Sequence, residues 1–387
     1  MPKKKNKTKK LLLNTAKIAF LKFSSKQQNL GRGKELRAGL SAVVQIGDTL
    51  WLANDETISL ERLSLVTGEA GDDSLSFGNH TRFSLSDYLQ LPASASTDLE
   101  EADIEGLAYE DGYLWLVGSH SLKRKNPDLN KGSKGAHKQL AKISREGNRY
   151  LLARIPVVEG EGTYLPVTED RRKGKKATAA QLRGNEKTND LIEALKDDEH
   201  LGAFLAIPGK DNGFDIEGLA IAGTRLFLGL RGPVLRGWAV VLEVELADGA
   251  EHGTLQLKAI GPNGRCYRKH FLHLGGLGIR DLCRQGGDLL ILAGPTMDID
   301  GPVAIFRWPD GTGQAEEAMV PTAGLERVLD VPYGQGVDHA EGMTLFSLHG
   351  DQASSFLVVY DSASTARQEG GNTVVADLFS YKTKGNQ

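Results

Sequence analysis

The chain is poor in cysteine and aromatics and has no long apolar run. Its two cysteines, Cys266 and Cys283, form no CxxC pair and are too few for a disulfide framework in 387 residues, so both are expected to be reduced and structural. No apolar stretch approaches the roughly 20 residues that a membrane-spanning helix needs, which argues against membrane insertion. No zinc-type ligand spacing, nucleophile elbow, phosphate loop or dinucleotide fingerprint is present. A formal charge of −3, from 47 basic and 50 acidic residues, excludes a surface-wide electrostatic footprint for nucleic acid.

What is present is glycine, 46 of them against four Met and four Trp, in a chain 40% hydrophobic and 25% charged. That is the balance of a globular protein with many turns. The first ten residues hold six lysines. The apolar stretch after them is cut by Asn14, Lys17 and Lys22, and no small-residue cleavage site follows, unlike a signal peptide. Residues 1–16 are therefore read as a basic flexible tail on a cytoplasmic protein, and 17–387 as one domain.

A repeat organises that domain. Asp103-Ile-Glu-Gly-Leu-Ala108 precedes Gly112-Tyr-Leu-Trp-Leu-Val-Gly118, and Asp215-Ile-Glu-Gly-Leu-Ala220 precedes Gly223-Thr-Arg-Leu-Phe-Leu-Gly229. Weaker copies run from Ile279 to Leu292 and from His339 to Val359, and a degenerate one from Gly39 to Leu52. Each is an apolar segment, a Gly/Asp turn and a second apolar segment, which is a β-hairpin pattern. Further β-rich stretches follow several hairpins, at Ile58 to Leu63, Leu140 to Ile143, Ala239 to Val244 and Val303 to Phe306. Copies recur at roughly 62 to 64 residues, with one gap of about 112. The expected fold is an all-β propeller of five blades, with room for a sixth in the long gap. That gap, 158–213, reads instead as a partly helical insertion, with Thr188 or Asn189 capping a helix over Asp190–Asp198. Ile18–Phe23 is expected to pair with Val374–Phe379 and close the ring.

In such hairpins the start of the first strand lies beside the end of the second. One channel mouth then collects Asp103, Glu105, Asp215, Glu217, Asp281 and Glu341, with His339 nearby. The loops add Asn54, Asp55 and Glu56, then Ser119 and His120, then Arg231, Thr296, Asp298 and Asp361. Clustered carboxylates raise one another's pKa and need compensation. A divalent cation, Ca²⁺ or Mg²⁺, held by Asp103, Glu105, Asp215, Glu217, Asp281 and Glu341 is one compensator; Arg231 and Arg236, or backbone N–H groups, are the others. Glu105 and Glu217 have an architectural reading too, accepting backbone hydrogen bonds between blades.

Two loops are basic: Gly118-Ser-His-Ser-Leu-Lys-Arg-Lys125 and Gly229-Leu-Arg-Gly-Pro-Val-Leu-Arg-Gly-Trp238. Lys123, Arg124, Arg231 and Arg236, with Asn54 and Asp55, are candidate ligand-binding residues, because guanidinium forks match phosphate or carboxylate. His120 is the candidate proton donor, beside Glu105 and Glu217 as catalytic carboxylates. His270 and His273 alternate with apolar neighbours and are expected on a strand's polar face. The run Arg171-Arg172-Lys173-Gly174-Lys175-Lys176 lacks the interleaved aromatics of a nucleic-acid site.

These motifs together, over about Gly39 to Phe379, resemble the bacterial family called domain of unknown function 3616. The resemblance implies a propeller-like fold and a bacterial source, and brings no activity with it. A looser likeness, on Asp103–Gly106 and Asp215–Gly218 alone, is to esterase-like phytase propellers, whose metal array the third and fourth copies here depart from. The leading expectation is a ligand site at the channel mouth serving metal-dependent hydrolysis of a phosphoester. The rival is a non-catalytic scaffold that binds a protein or polyanion partner.

Overall fold

A computed structural model describes residues 17–381 apart from 32, 67–74, 94–100, 161, 173 and 349–354; the basic tail, 1–16, lies outside the described residues. The described chain is all-β and propeller-like. It folds as successive four-stranded antiparallel units, the first from Leu40–Ile46, Thr49–Asn54, Ser59–Val66 and Leu75–Ser84. The second takes Ile104–Glu110, Tyr113–Gly118, Leu152–Gly160 and Ala180–Leu182. The third takes Asp215–Ala222, Arg225–Gly232, Trp238–Asp248 and Tyr267–His273. Gly278–Gln285, Asp288–Gly294, Val303–Trp308 and Glu326–Val331 make the fourth. The last joins His339–Phe346, Ser355–Asp361 and Thr373–Ser380 to Lys17–Lys22 from the other end of the chain, with Phe20 opposite Val375.

The first strand of each unit packs against the first strand of the next, and His339–Phe346 returns to Leu40–Ile46, so the inner strands form a closed ring. Apolar clusters fill the space between consecutive units. Trp51 packs with Leu116 between the first and second, Trp115 with Leu219 between the second and third, and Phe227 with Ile291 between the third and fourth. The glycines of the repeat make this closeness feasible. A Cβ on Gly106 would lie 2.8 Å from Leu219 Cβ, and one on Gly218 would lie 2.9 Å from the backbone nitrogen of Leu282. A side chain at either place would push two units apart.

The additional chain differs from one continuous insertion. It forms three detours of the second unit: 119–151 between its second and third strands, 161–179 between its third and fourth, and 183–214 beyond. The third strand is Leu152–Gly160, not Leu140–Ile143, because Leu140 ends a helix, Gly132–Leu140. The helix in the gap is short, Asp190–Leu195, and Asn189 caps it by accepting a hydrogen bond from the Ile192 N–H at 3.0 Å. The basic hairpin, Glu169–Arg172 with Lys175–Thr178, branches from strand ends near Pro156, away from the mouth. Neighbouring Tyr164 lies against the Gly47 turn at that same far end.

His270 is not on a polar face. It is fully buried, 3.1 Å from the equally buried Glu243, which also meets Arg225 and Arg268. The first unit repeats the device with His80 and Glu61, 2.5 Å apart on its fourth and third strands. The charged residues broke the apolar alternation without marking a solvent face. Cys266 and Cys283 are unpaired thiols, and burial raises the Cys283 thiol well above its ordinary range.

Ring closure by the N-terminal strand rests on Leu21, which is fully buried between the last unit and the first. Leu21→Ala should therefore cost about 2–5 kcal/mol, the usual range for truncating a buried leucine. Chemical denaturation would measure the loss; a change under about 1 kcal/mol would show that the ring does not depend on this strand.

Candidate functional site

Each inner strand enters the ring through a one-residue irregularity, where two of its residues oppose one on the second strand. The displaced residues are Ser41, Glu105, Glu217, Arg280 and Glu341. A bulge of this kind re-aims a side chain, and four of these five are charged. The copy in the fourth unit therefore carries Arg280, not Asp281, in the glutamate position. Asp281 occupies the glycine position and is buried. Its carboxylate accepts hydrogen bonds from its neighbour Leu282 N–H and from Met343 N–H of the next unit, both at 2.7 Å. Desolvation still holds its pKa well above the usual carboxylate range.

Guanidinium groups take up several of the other carboxylates. Arg231 pairs with Asp215 and lies 2.5 Å from Glu217; Arg280 lies 3.3 Å from Glu217 and 2.6 Å from Glu341. Arg149, from a short turn at Gly147–Tyr150, lies 2.6 Å from Asp103 and 2.8 Å from Glu101. Asp55 and Glu105 have no cation within ion-pairing distance among the described residues. Asp55 and Asp361 flank Gly39, whose Cβ would lie 3.2 Å and 3.5 Å from an oxygen of each.

The consequence is a set of carboxyls held above their ordinary pKa. Burial, then Asp361 and Asp103, push Asp55 well up; burial, then Asp103, Glu217 and Glu341, do the same to Glu105. Burial and Asp361 raise Glu341 to about 8 against the pull of Arg280. Burial raises Asp215 to about 6 although Arg231 opposes the shift.

These groups line one side of a cavity of about 580 Å³, together with Asp103, Asp215 and Arg231. The other side is the detour 119–151, which brings Lys123, Arg124, Lys125 and Lys142 to the rim. Lys123 pairs with Glu101, and Arg124 lies 2.6 Å from Asp211. Lys210, from the last detour, also lines the cavity. Desolvation and Arg231 work against its charge, but Glu341, Asp298 and Asp361 prevail and keep its ammonium above the usual lysine value.

The remaining candidates lie elsewhere. His120 is buried, its Nδ1 2.7 Å from the Gly118 carbonyl and its Nε2 2.7 Å from the Asn189 amide, which also donates to the Tyr150 carbonyl. Burial drops its pKa to about 4, so it is a neutral joint holding the third detour to the mouth strands, not a group facing the cavity. Asn54 is buried, donating to the Leu36 carbonyl and accepting from the Glu56 N–H. Arg236 is exposed and does not line the cavity. His339 does not line the cavity either and lies 3.3 Å from Asp300.

A divalent cation would need donors converging on one point. Among the described residues no group of three or more His, Cys, Asp or Glu side chains is so placed. Of the six carboxylates considered for it, Asp103, Asp215, Glu217 and Glu341 meet guanidinium groups and Asp281 meets backbone amides, so the set does not fit a resident ion.

Arg149, Arg280, Lys210, Lys142 and Glu101 are residues that sequence reasoning missed. For Arg280 a signal existed: aligning Ile279 with Ile104 puts it in the glutamate position. Arg149 and Lys210 lie in detours with no repeat to align.

A family model for proteins of unknown function, DUF3616, matches residues 39–377. The chain belongs to this family. No protein of curated function matches it. Among solved structures, it is similar to a proposed oxidoreductase (glucose dehydrogenase) of Thermus thermophilus, at 12% identity and a TM-score of 0.33, over 89% of this chain and 99% of that one. A mutant of the GH43 protein BlXynB of Bacillus licheniformis gives 10% and 0.33, over 88% and 53%. The Cps50 (Swd1) β-propeller domain of Myceliophteria thermophila gives 10% and 0.28, over 89% and 99%. Likenesses this distant bring no function to the DUF3616 chain. No helix among its described residues is long and apolar enough to cross a membrane.

The raised carboxyls have a measurable consequence. A carboxyl whose pKa is raised on folding stabilises the fold fully below its unfolded value and loses that contribution as pH climbs through its folded value. Glu341 and Asp215 should thus make the melting temperature fall between about pH 5 and 8, and Glu341→Gln should flatten the decline. A profile that rises over this range and is unchanged by the substitution would contradict the description of the mouth.

Proposed function

We propose that the DUF3616 chain is a five-bladed propeller whose channel mouth binds a ligand by its cationic group. The four-stranded units are the blades in this reading, and the ring of inner strands is the channel. Asp55 and Glu105 carry the proposal: they face a cavity of about 580 Å³ and have no cation of their own among the described residues. Crowded acids of this kind gain from an incoming positive charge, since it lowers their pKa and offsets their repulsion. Lys125 and Lys142 on the facing rim suit an anionic group of the same ligand, phosphate or carboxylate.

Binding is better supported than phosphoester hydrolysis. The proton donor considered first, His120, is turned away from the cavity, and most of the carboxylates considered for a metal are already compensated. Glu217 belongs with Arg231 and Arg280 to the frame in this reading, and Glu105 to the site.

Phosphorylethanolamine is a small probe that carries both charges, an ammonium and a phosphate. It should raise the melting temperature more than ethanolamine or inorganic phosphate at equal concentration, by mass action on the folded state. Glu105→Gln should remove that increment while raising the stability of the free protein by about 0.5–2 kcal/mol, because it deletes a repelled carboxyl that serves binding. Loss of stability in Glu105→Gln, with no probe effect in the parent, would make Glu105 architectural. Stabilisation by Mg²⁺ or Ca²⁺ alone would restore the metal reading instead.

A further inference from the structure

The mouth face also carries exposed apolar side chains. Among the described residues, ten large hydrophobic residues are exposed, and six of them, Leu129, Leu140, Ile143, Met297, Ile299 and Tyr333, lie on segments that leave strands at the mouth end. The topology makes the assignment. Gly118, opposite Ile104, and Leu152, opposite Val117, bound the detour 119–151 at the mouth end of the second unit. Gly294 and Val303 bound the segment with Met297 and Ile299, and Val331, opposite Val303, leads to Tyr333.

The six fall into two groups. Leu129, Leu140 and Ile143 belong to the detour that forms the basic wall of the cavity, in the second unit. Met297, Ile299 and Tyr333 belong to the fourth unit, which does not adjoin the second in the ring. Two apolar shoulders thus lie on the mouth face, one in the second unit and one in the fourth. Ile299 is 58% exposed and Leu129 79% exposed, so neither is covered by the described residues. A small zwitterion filling the cavity would leave both shoulders in water, and exposed apolar groups clustered around a polar recess are a mark of macromolecular contact.

Resting on the reading that the mouth takes a cationic group, we infer that the occupant is an extended polypeptide segment that places a lysine or arginine side chain against Asp55 and Glu105 and lays apolar residues over the two shoulders. Charge selects the occupant. Among the described groups at the centre without an ion pair, the acids Asp55, Glu105 and Asp361 outnumber the one ammonium, Lys210, which favours a basic side chain over an acidic one. A basic residue brings a long alkyl stem that reaches into a recess while its backbone stays at the rim. The shoulders then add apolar burial on either side, and Lys125 and Lys142 accept an acidic residue or a carboxyl terminus nearby.

The test uses the full chain and two pools of fluorescent heptapeptides, acetylated and amidated, with Leu, Val, Ser and Gly mixed at the flanking positions. One pool has lysine fixed at the centre, and the other has acetyl-lysine, which keeps the shape without the charge. N-acetyl-lysine methylamide serves as the small competitor. The lysine pool should bind at least about tenfold more tightly than either the acetyl-lysine pool or the methylamide. Leu140→Ser and Ile299→Ser, both at exposed positions, should each weaken the lysine pool about threefold or more and leave the methylamide unchanged. If the methylamide binds as well as the pool, the inference fails while the cationic mouth stands. If neither binds and Glu105→Gln changes nothing, both fail. Equal binding of the two pools would remove the role of charge and overturn the inference as well.

Discussion

Crowding of charge at one point is the constraint on which the rest of this structure depends. Inner strands that start side by side bring Glu105, Glu217, Arg280 and Glu341 together in one ring, whatever their distance in the chain. Carboxyls so placed repel one another and lose hydration at once, and a fold can accept this only with positive charge or hydrogen-bond donors close by. Arg231 and Arg280 do this within the ring by lying between acids, one joining Asp215 to Glu217 and the other Glu217 to Glu341. The result is an alternating chain of charges that holds neighbouring inner strands in register.

The same ring is held together where it carries no charge. Gly106 and Gly218 let the next inner strand approach to backbone contact, and Gly342 does so against Ala42. Where the fourth unit has Asp281 instead of glycine, the carboxylate accepts from the Met343 N–H of the following strand. A gap closed by contact elsewhere is closed there by a hydrogen bond. Asp281 is therefore part of the seam, although in sequence it looks like one more acidic residue at the mouth.

The repeated strands and the closing N-terminal strand were legible because period-two hydrophobicity and Gly/Asp turns leave a local trace. So was the convergence of Glu105, Glu217 and Glu341, since antiparallel pairing follows from hairpin spacing alone. What lay beyond reach were partners supplied by detours. Arg149 approaches Asp103 from a turn 46 residues further on, and Asn189 reaches His120 across 69 residues. No periodicity encodes either meeting. The third strand of the second unit was misplaced for a related reason: Leu140 and Ile143 are apolar and close together, but they are exposed on the mouth face and not in the sheet of that unit. Apolar residues kept for a surface are indistinguishable, in sequence, from apolar residues kept for a core.

The position of Ser41 bears on whether the acids are there for the fold. It occupies in the first unit the bulged place that Glu105 occupies in the second, and its hydroxyl donates to the Ile104 carbonyl of the next strand at 2.6 Å. A small neutral residue is thus sufficient to join two inner strands at this point. Glu105 makes no comparable bond to its neighbour among the described residues. It faces the cavity, where burial and four other acids raise its pKa. A side chain that burial and neighbouring acids disfavour thus stands at a place where serine meets the architectural need in the first unit. In the proposed reading, a ligand that brings a positive charge to the cavity would offset the repulsion that Glu105 meets there.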